Sequence, residues 1–126
     1  MKYLIGLLVV AGLIYGAKMY SKPVSQPAVS PVVVEDVKTI KVEGNNFRFT
    51  PSEIQVKQGD KIKVALTAKD MPHDFDLDEL GVNGAVAQPG ETVEVEFVAD
   101  KVGEFEYYCS VGQHRAKGMV GKLTVL

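Results

Sequence analysis

From about residue 37 onward the chain alternates apolar and polar residues, and this period of two constrains the fold more than any other feature. In KIKVALTA, Lys61 to Ala68, the residues Ile62, Val64, Leu66 and Ala68 take one face, and Lys61, Lys63 and Thr67 take the other. In TVEVEFVA, Val93, Val95, Phe97 and Ala99 alternate with Glu94 and Glu96. In GEFEYYC, Phe105, Tyr107 and Cys109 share one parity, and Glu104, Glu106 and Tyr108 share the other. The last segment, Val120 to Leu126, sets Leu123 and Val125 against Lys122 and Thr124. Successive side chains of a strand point to opposite faces, so each of these segments reads as a half-buried strand. Shorter runs at Val37–Val42, Phe47–Phe49 and Ile54–Val56 read the same way. Gly44-Asn45-Asn46, Pro51, Gln58-Gly59-Asp60, Pro89-Gly90 and Gly103 supply turns and breaks between them. No segment of this region sustains a helical period. About seven strands with frequent turn signals predict an all-β sandwich or barrel.

The first 34 residues lack that pattern. Met1-Lys2 precedes an apolar run from Tyr3 to Ala17, which Lys18 closes. A basic start and a short apolar stretch form the pattern of an export signal. Tyr15, at the position a signal peptidase needs small, favours an uncleaved anchor over a cleaved signal. As a helix, fifteen residues span roughly 22 Å, short of a hydrocarbon core of about 30 Å. Lys2 and Lys18 can snorkel, and Met19 and Tyr20 can lengthen the span. No Cys follows the run, which excludes a lipoprotein signal. Ser21 to Val34 carries Pro23, Pro27 and Pro31, has no amphipathic period, and reads as an extended linker. The expected organisation is an apolar helix serving as signal or anchor at 1–20, a Pro-rich linker at 21–34 and a folded domain at 35–126. Either reading of the leader places that domain outside the cytoplasm.

Composition narrows the chemistry. Hydrophobic residues make up 46% and charged residues 24%, which excludes a disordered chain. The net charge is −2, and the basic residues of the leader hide a charge of −5 on the expected domain. That argues against a nucleic-acid partner. One Cys permits no intrachain disulfide and no Cys-rich zinc module. The sole Cys and both His then stand out. Cys109 ends a strand, His114 lies in the loop SVGQHRAKG, and Met119 opens the last strand, a Cys-x4-His-x4-Met spacing. His73 follows Met71-Pro72 just beyond KIKVALTA. All four fall at strand ends or in loops that one pole of a sandwich can bring together. Thiolate, thioether and two imidazoles are the donor set of an electron-transfer copper site.

The chain also resembles a known family. FRFTPSEIQVKQGDKIKV, then a His, then YYCSVGQHRAKGMVGKLTV is similar to the cupredoxins, the small blue copper proteins, over essentially all of Lys41–Leu126. The C-terminal block is most similar to plastocyanin-like domains and the copper domains of nitrite reductases. The resemblance implies a Greek-key sandwich of seven or eight strands. It implies copper ligands at His73, Cys109, His114 and Met119, and one-electron transfer by a single Cu(II)/Cu(I) ion. Tyr108 matches the aromatic beside the ligand Cys that some members use as a remote electron path. MPHDFDLDELGVNGAVAQPG is similar to the subunit II copper domain of cytochrome oxidases, but no second thiol is present for a binuclear site. Asp70 and Asp74 flank His73, so a red-copper site of the nitrosocyanin type, with a carboxylate ligand, is a variant to be tested by structure.

The expected function is therefore an exported or membrane-tethered electron carrier, monomeric, that exchanges electrons with partner proteins and is not an enzyme. Two other classes are a copper store or delivery protein and a metal-free assembly sandwich. Asp74, Asp76, Asp78 and Glu79 read as a solvated acidic stretch or a steering surface for a basic partner. Arg115 and Lys117 read as solvated or as a contact for an acidic one.

Overall fold

The structure, a computed structural model, describes residues 35–126; the expected signal or anchor at 1–20 and linker at 21–34 lie outside the described residues. Among the described residues, nine strands form two mixed sheets. They are β1 (Val37–Asn45), β2 (Arg48–Thr50), β3 (Glu53–Val56), β4 (Lys61–Ala68), β5 (Asp76–Leu77), β6 (Val82–Asn83), β7 (Thr92–Val98), β8 (Gly103–Tyr108) and β9 (Val120–Val125). One sheet has the order β2-β1-β4-β7, and the other β3-β9-β8-β5-β6. β1 runs parallel to β4, and β3 parallel to β9, while the remaining pairs are antiparallel. These crossed-over neighbours make the all-β sandwich expected of a Greek key. Helical structure among the described residues is limited to a 3-10 turn at Asp78–Leu80.

The period of two decides what is buried. Ile62, Val64, Leu66 and Ala68 of β4 are all at most 1% exposed, as the alternation requires. Ile62, Val64 and Leu66 meet Val42, Phe49, Ile54, Val56, Leu77, Leu123 and Val125 in a single core. Val93, Val95 and Phe97 of the edge strand β7 are only partly buried. Phe75 stacks on Tyr107 with ring centroids 4.7 Å apart, and Phe49 meets both edge-on at 5.9 and 5.3 Å. The Tyr107 hydroxyl donates to the carbonyl of Pro51 at 2.9 Å, so the polar tip of this buried ring is satisfied.

Two local readings are corrected. Phe47 is not in a strand: Asn46 and Phe47 have φ of 51° and 56° and form the turn that joins β1, extended to Asn45, to β2. The acidic stretch is not simply a solvated loop. Asp76 and Leu77 form β5, paired with β6 and with Tyr108 of β8, and Asp74 and Asp76 are buried. Two-residue strands are too short to show a period, which is why the sequence pattern contains seven strands and the fold contains nine.

Candidate metal centre

Sheet pairing carries the donors to one pole. Gly44 sits opposite Ala68 at the ends of β1 and β4, and the Lys69 N–H donates to the Gly44 carbonyl at 2.9 Å. The chain then passes through Asp70, Met71 and Pro72 to His73, whose backbone forms a bridge with Ala87 in both directions, at 3.1 and 2.8 Å. Cys109 leaves the end of β8, and its N–H donates to the Met119 carbonyl at 3.2 Å. The intervening loop closes on itself: the N–H of Met119 and the N–H of Lys117 both reach the His114 carbonyl, at 3.0 and 3.1 Å. Gly112 and Gly118 supply left-handed backbone at its bends, with φ of 50° and 95°.

The result is a compact triangle. One donor atom from each of His73, Cys109 and His114 lies within 4.8 Å of the others. The Cys109 Sγ is 3.9 Å from His73 Nδ1 and 3.4 Å from His114 Nδ1. Both imidazoles therefore turn Nδ1 toward the sulfur. His73, Cys109 and Met119 are fully buried, and His114 is half-buried. Each hydrogen bond around the triangle fixes a donor. The Asp74 N–H points at the Cys109 Sγ at 3.5 Å. The Asp74 side chain accepts from the Ser110 N–H at 2.6 Å and from the Ser110 hydroxyl. His73 Nε2, on the far side of its ring, meets Asp70 Oδ1 at 2.8 Å. The Asp70 carboxylate also accepts the N–H of Met71 and of Asn46, each at 2.9 Å.

Without a metal, the electrostatics of the site favour an uncharged Cys109 and an uncharged His114. Burial pushes the Cys109 thiol up to about 11, only partly opposed by the N–H groups of Asp74 and Val111. A metal ion reverses that preference, because coordination deprotonates the thiol. Burial, with the His73 ring and Lys117 nearby, holds His114 below its usual value, so its nitrogen is available as a lone-pair donor. Burial raises Asp70, but the N–H of Asn46 and the His73 ring outweigh it and hold the carboxyl below the usual range.

A family model for the cupredoxin-like domain matches residues 7–125. The chain belongs to the cupredoxin-like family. Among its relatives, the nitrous-oxide reductase of Cupriavidus necator is 36% identical over 76 residues, which are 57% of this chain and 12% of that protein. The chain spans only 12 to 16% of the length of the nitrous-oxide reductases it matches. A plastocyanin from a Synechococcus species is 30% identical over 112 residues, 80% of this chain and 78% of that protein. Among solved structures, auracyanin A of Chloroflexus aurantiacus, a blue copper protein, superposes with a TM-score of 0.63 at 22% identity. It covers 72% of this chain and all of its own. The cupredoxin fold and the donor chemistry together fit one copper ion: a soft sulfur and two imidazole nitrogens converge, with a buried thioether in the same loop.

Neither carboxylate considered for a red-copper site belongs to the triangle. Asp70 is on the Nε2 side of His73, turned away from the sulfur, and Asp74 is engaged by Ser110. Arg115 and Lys117 are also engaged. The Arg115 guanidinium lies 3.7 Å over the Tyr108 ring and donates to Glu106 at 2.7 and 3.1 Å. Lys117 lies 4.6 Å over the Phe47 ring, and Phe47 meets His114 edge-on at 5.1 Å. Four residues that shape the site carry no such signal in the sequence. Gly44 reads only as a turn residue, Phe47 as a strand residue, Asp74 as part of an acidic stretch and Asp70 as a rival ligand. Position three before His73 on a short loop is the one cue that pointed toward Asp70.

Proposed function

We propose that this cupredoxin is a one-electron carrier in which His73 Nδ1, Cys109 Sγ, His114 Nδ1 and Met119 hold a single type 1 copper. The observation that carries the reading is the triangle of Cys109, His73 and His114, built from a thiol and two imidazoles with all three donors within 4.8 Å. Bound copper supplies a one-electron Cu(II)/Cu(I) couple. The chain's contribution is rigidity: Cys109 and Met119 are tied by a backbone hydrogen bond, the His73 backbone is bridged to Ala87, and the His73 ring is held by Asp70. Donors fixed before the electron arrives have little to rearrange when it does. The His114 edge reaches solvent, while His73, Cys109 and Met119 do not, so His114 is the side from which a redox partner protein exchanges electrons. With four protein donors, no open position is left for a reacting small molecule, which favours a carrier over an enzyme. The apolar run Tyr3–Ala17 supports a domain tethered outside the cytoplasm.

Copper titration followed by absorption and by voltammetry tests this. A carrier shows one equivalent bound, an intense visible band that Cys109→Ala abolishes, and a reversible one-electron wave. Binding without that band, or without a reversible wave, overturns the carrier and points to a store or delivery protein. No binding at all leaves the metal-free sandwich.

A further inference from the structure

The carboxylate on the far side of His73 has a specific consequence. The His73 ring is fully buried and has two polar neighbours, the Cys109 Sγ beyond Nδ1 at 3.9 Å and Asp70 Oδ1 beyond Nε2 at 2.8 Å. Asp70 accepts on both oxygens: Oδ1 takes Met71 N–H and the ring, and Oδ2 takes Asn46 N–H. An oxygen pair with donors on both members is an ionised carboxylate, and such a group accepts only. The ring proton is then on Nε2 and the lone pair on Nδ1, facing the sulfur. An anionic acceptor also makes the imidazole a more basic donor than a carbonyl would. A more basic, more negative ligand environment favours Cu(II) over Cu(I).

The same side chain reaches the second imidazole. Its Oδ2 pins the N–H of Asn46, in the left-handed turn with Phe47, and the Phe47 ring packs edge-on against His114. One carboxylate thus sets the tautomer of His73 and anchors the turn that backs His114.

We propose that Asp70 is a positioning residue of the copper site, fixing His73 as the Nε2–H tautomer with Nδ1 toward copper and lowering the reduction potential by its charge. The inference rests on the copper reading above. Loss of an outer partner of a metal-bound His costs roughly tenfold to a hundredfold in metal affinity. If that loss falls on Cu(II) and spares Cu(I), a tenfold change is an upward shift of about 59 mV for a one-electron couple.

Two substitutions separate the charge from the hydrogen bond to the ring. Asp70→Asn keeps an acceptor oxygen for the ring and for Met71 N–H, and removes the charge together with the bond from Asn46 N–H, which its NH2 cannot accept; Asp70→Leu removes the charge and all three bonds. Three measurements are made on each: voltammetry, the visible spectrum, and the nitrogen-15 shifts of His73 in the metal-free protein, which report its tautomer without copper. The expected result for Asp70→Asn is a retained visible band, an upward potential and an unchanged tautomer. Asp70→Leu is expected to shift the potential further and to lose the tautomer preference. An unchanged potential in Asp70→Asn with the band intact overturns the inference and leaves the copper reading standing. So does a metal-free His73 protonated on Nδ1 in the unsubstituted protein. If Asp70→Leu does not fold, Asp70→Asn decides alone. A protein without the visible band before any substitution overturns both.

Discussion

The α-carbon of Gly44 lies so close to the ring of His73 that a methyl group there would sit 2.8 Å from Cδ2 and 3.0 Å from Cγ. The demand is steric. β1 ends in contact with the imidazole, and only a residue without a side chain lets the ring stand where its Nδ1 faces the Cys109 sulfur. Gly44→Ala must push the ring out or separate β1 from β4. The metal-free protein is expected to lose about 1–3 kcal/mol, the usual cost of overpacking, and copper affinity and the visible spectrum are expected to change together. Denaturant unfolding and a copper titration check this; a substituted protein with the parent's spectrum and stability contradicts it.

Gly121 makes a similar demand on the opposite side of the core. It pairs with Tyr107 across β8 and β9, and a methyl there would lie 2.1 to 2.4 Å from the Tyr107 ring and hydroxyl. Because Tyr107 is fully buried and hydrogen-bonded to Pro51, it has little room to yield. Gly121→Ala is expected to destabilise the metal-free domain more than Gly44→Ala does. Tyr107→Phe, which removes only the hydroxyl, should cost about 1 kcal/mol. Chemical denaturation of the three proteins gives the ranking, and a Gly121→Ala domain as stable as the parent refutes the packing argument.

Copper uptake should depend on pH through Cys109. Burial raises the free thiol to about 11, so across the neutral range it is protonated in the metal-free protein and must release that proton on binding. Apparent affinity is therefore expected to rise about tenfold per pH unit between about pH 7 and about pH 9, as each bound copper displaces one thiol proton. Calorimetry in buffers of different ionisation enthalpy measures the released proton directly. Zero protons released in that window would mean the thiol is already ionised.

Copper should also stabilise the fold, since the donors of His73, Cys109 and His114 converge only when the sheets are paired. At a free copper concentration a hundred times the dissociation constant, the gain is about 2.7 kcal/mol. Thermal unfolding with and without copper tests it. Cys109→Ala should remove most of the difference.

Asp76 is expected to oppose folding at neutral pH. Burial, and then the negative charge of Asp74, push its carboxyl above the usual range, although Gly84 N–H donates to it at 3.0 Å. A raised carboxyl is a cost above its folded value, and that cost is relieved as pH falls through it. Asp76→Asn keeps an acceptor for Gly84 and removes the charge. Its melting temperature should exceed the parent's at neutral pH, and the gap should close as the pH falls into the carboxyl range. A gap that is constant with pH rules out the charge as its cause.

Local chemistry in the sequence determined the long strands and the identity of the donors. Ile62, Val64, Leu66 and Ala68 are buried because a strand has a period of two, and no distant partner is needed to read that. With one Cys and two His, the choice of candidate metal-binding side chains was nearly made by composition. Cys109 and His114, five residues apart, share one loop, so their proximity was already implied by spacing. Tertiary structure alone decided the rest. His73 is 36 residues from Cys109, and it arrives beside the sulfur because β1 pairs with β4 and β5 with β8. The same pairing turns Nδ1 rather than Nε2 inward, places Asp70 on the far nitrogen, and brings the bare α-carbon of Gly44 against the ring. It also buries Asp74 and Asp76, which in a linear reading are indistinguishable from a solvated acidic loop. Periodicity reports which way a side chain faces within its own strand; which nitrogen, carboxylate or missing side chain it meets depends on segments far along the chain and on how the two sheets are registered.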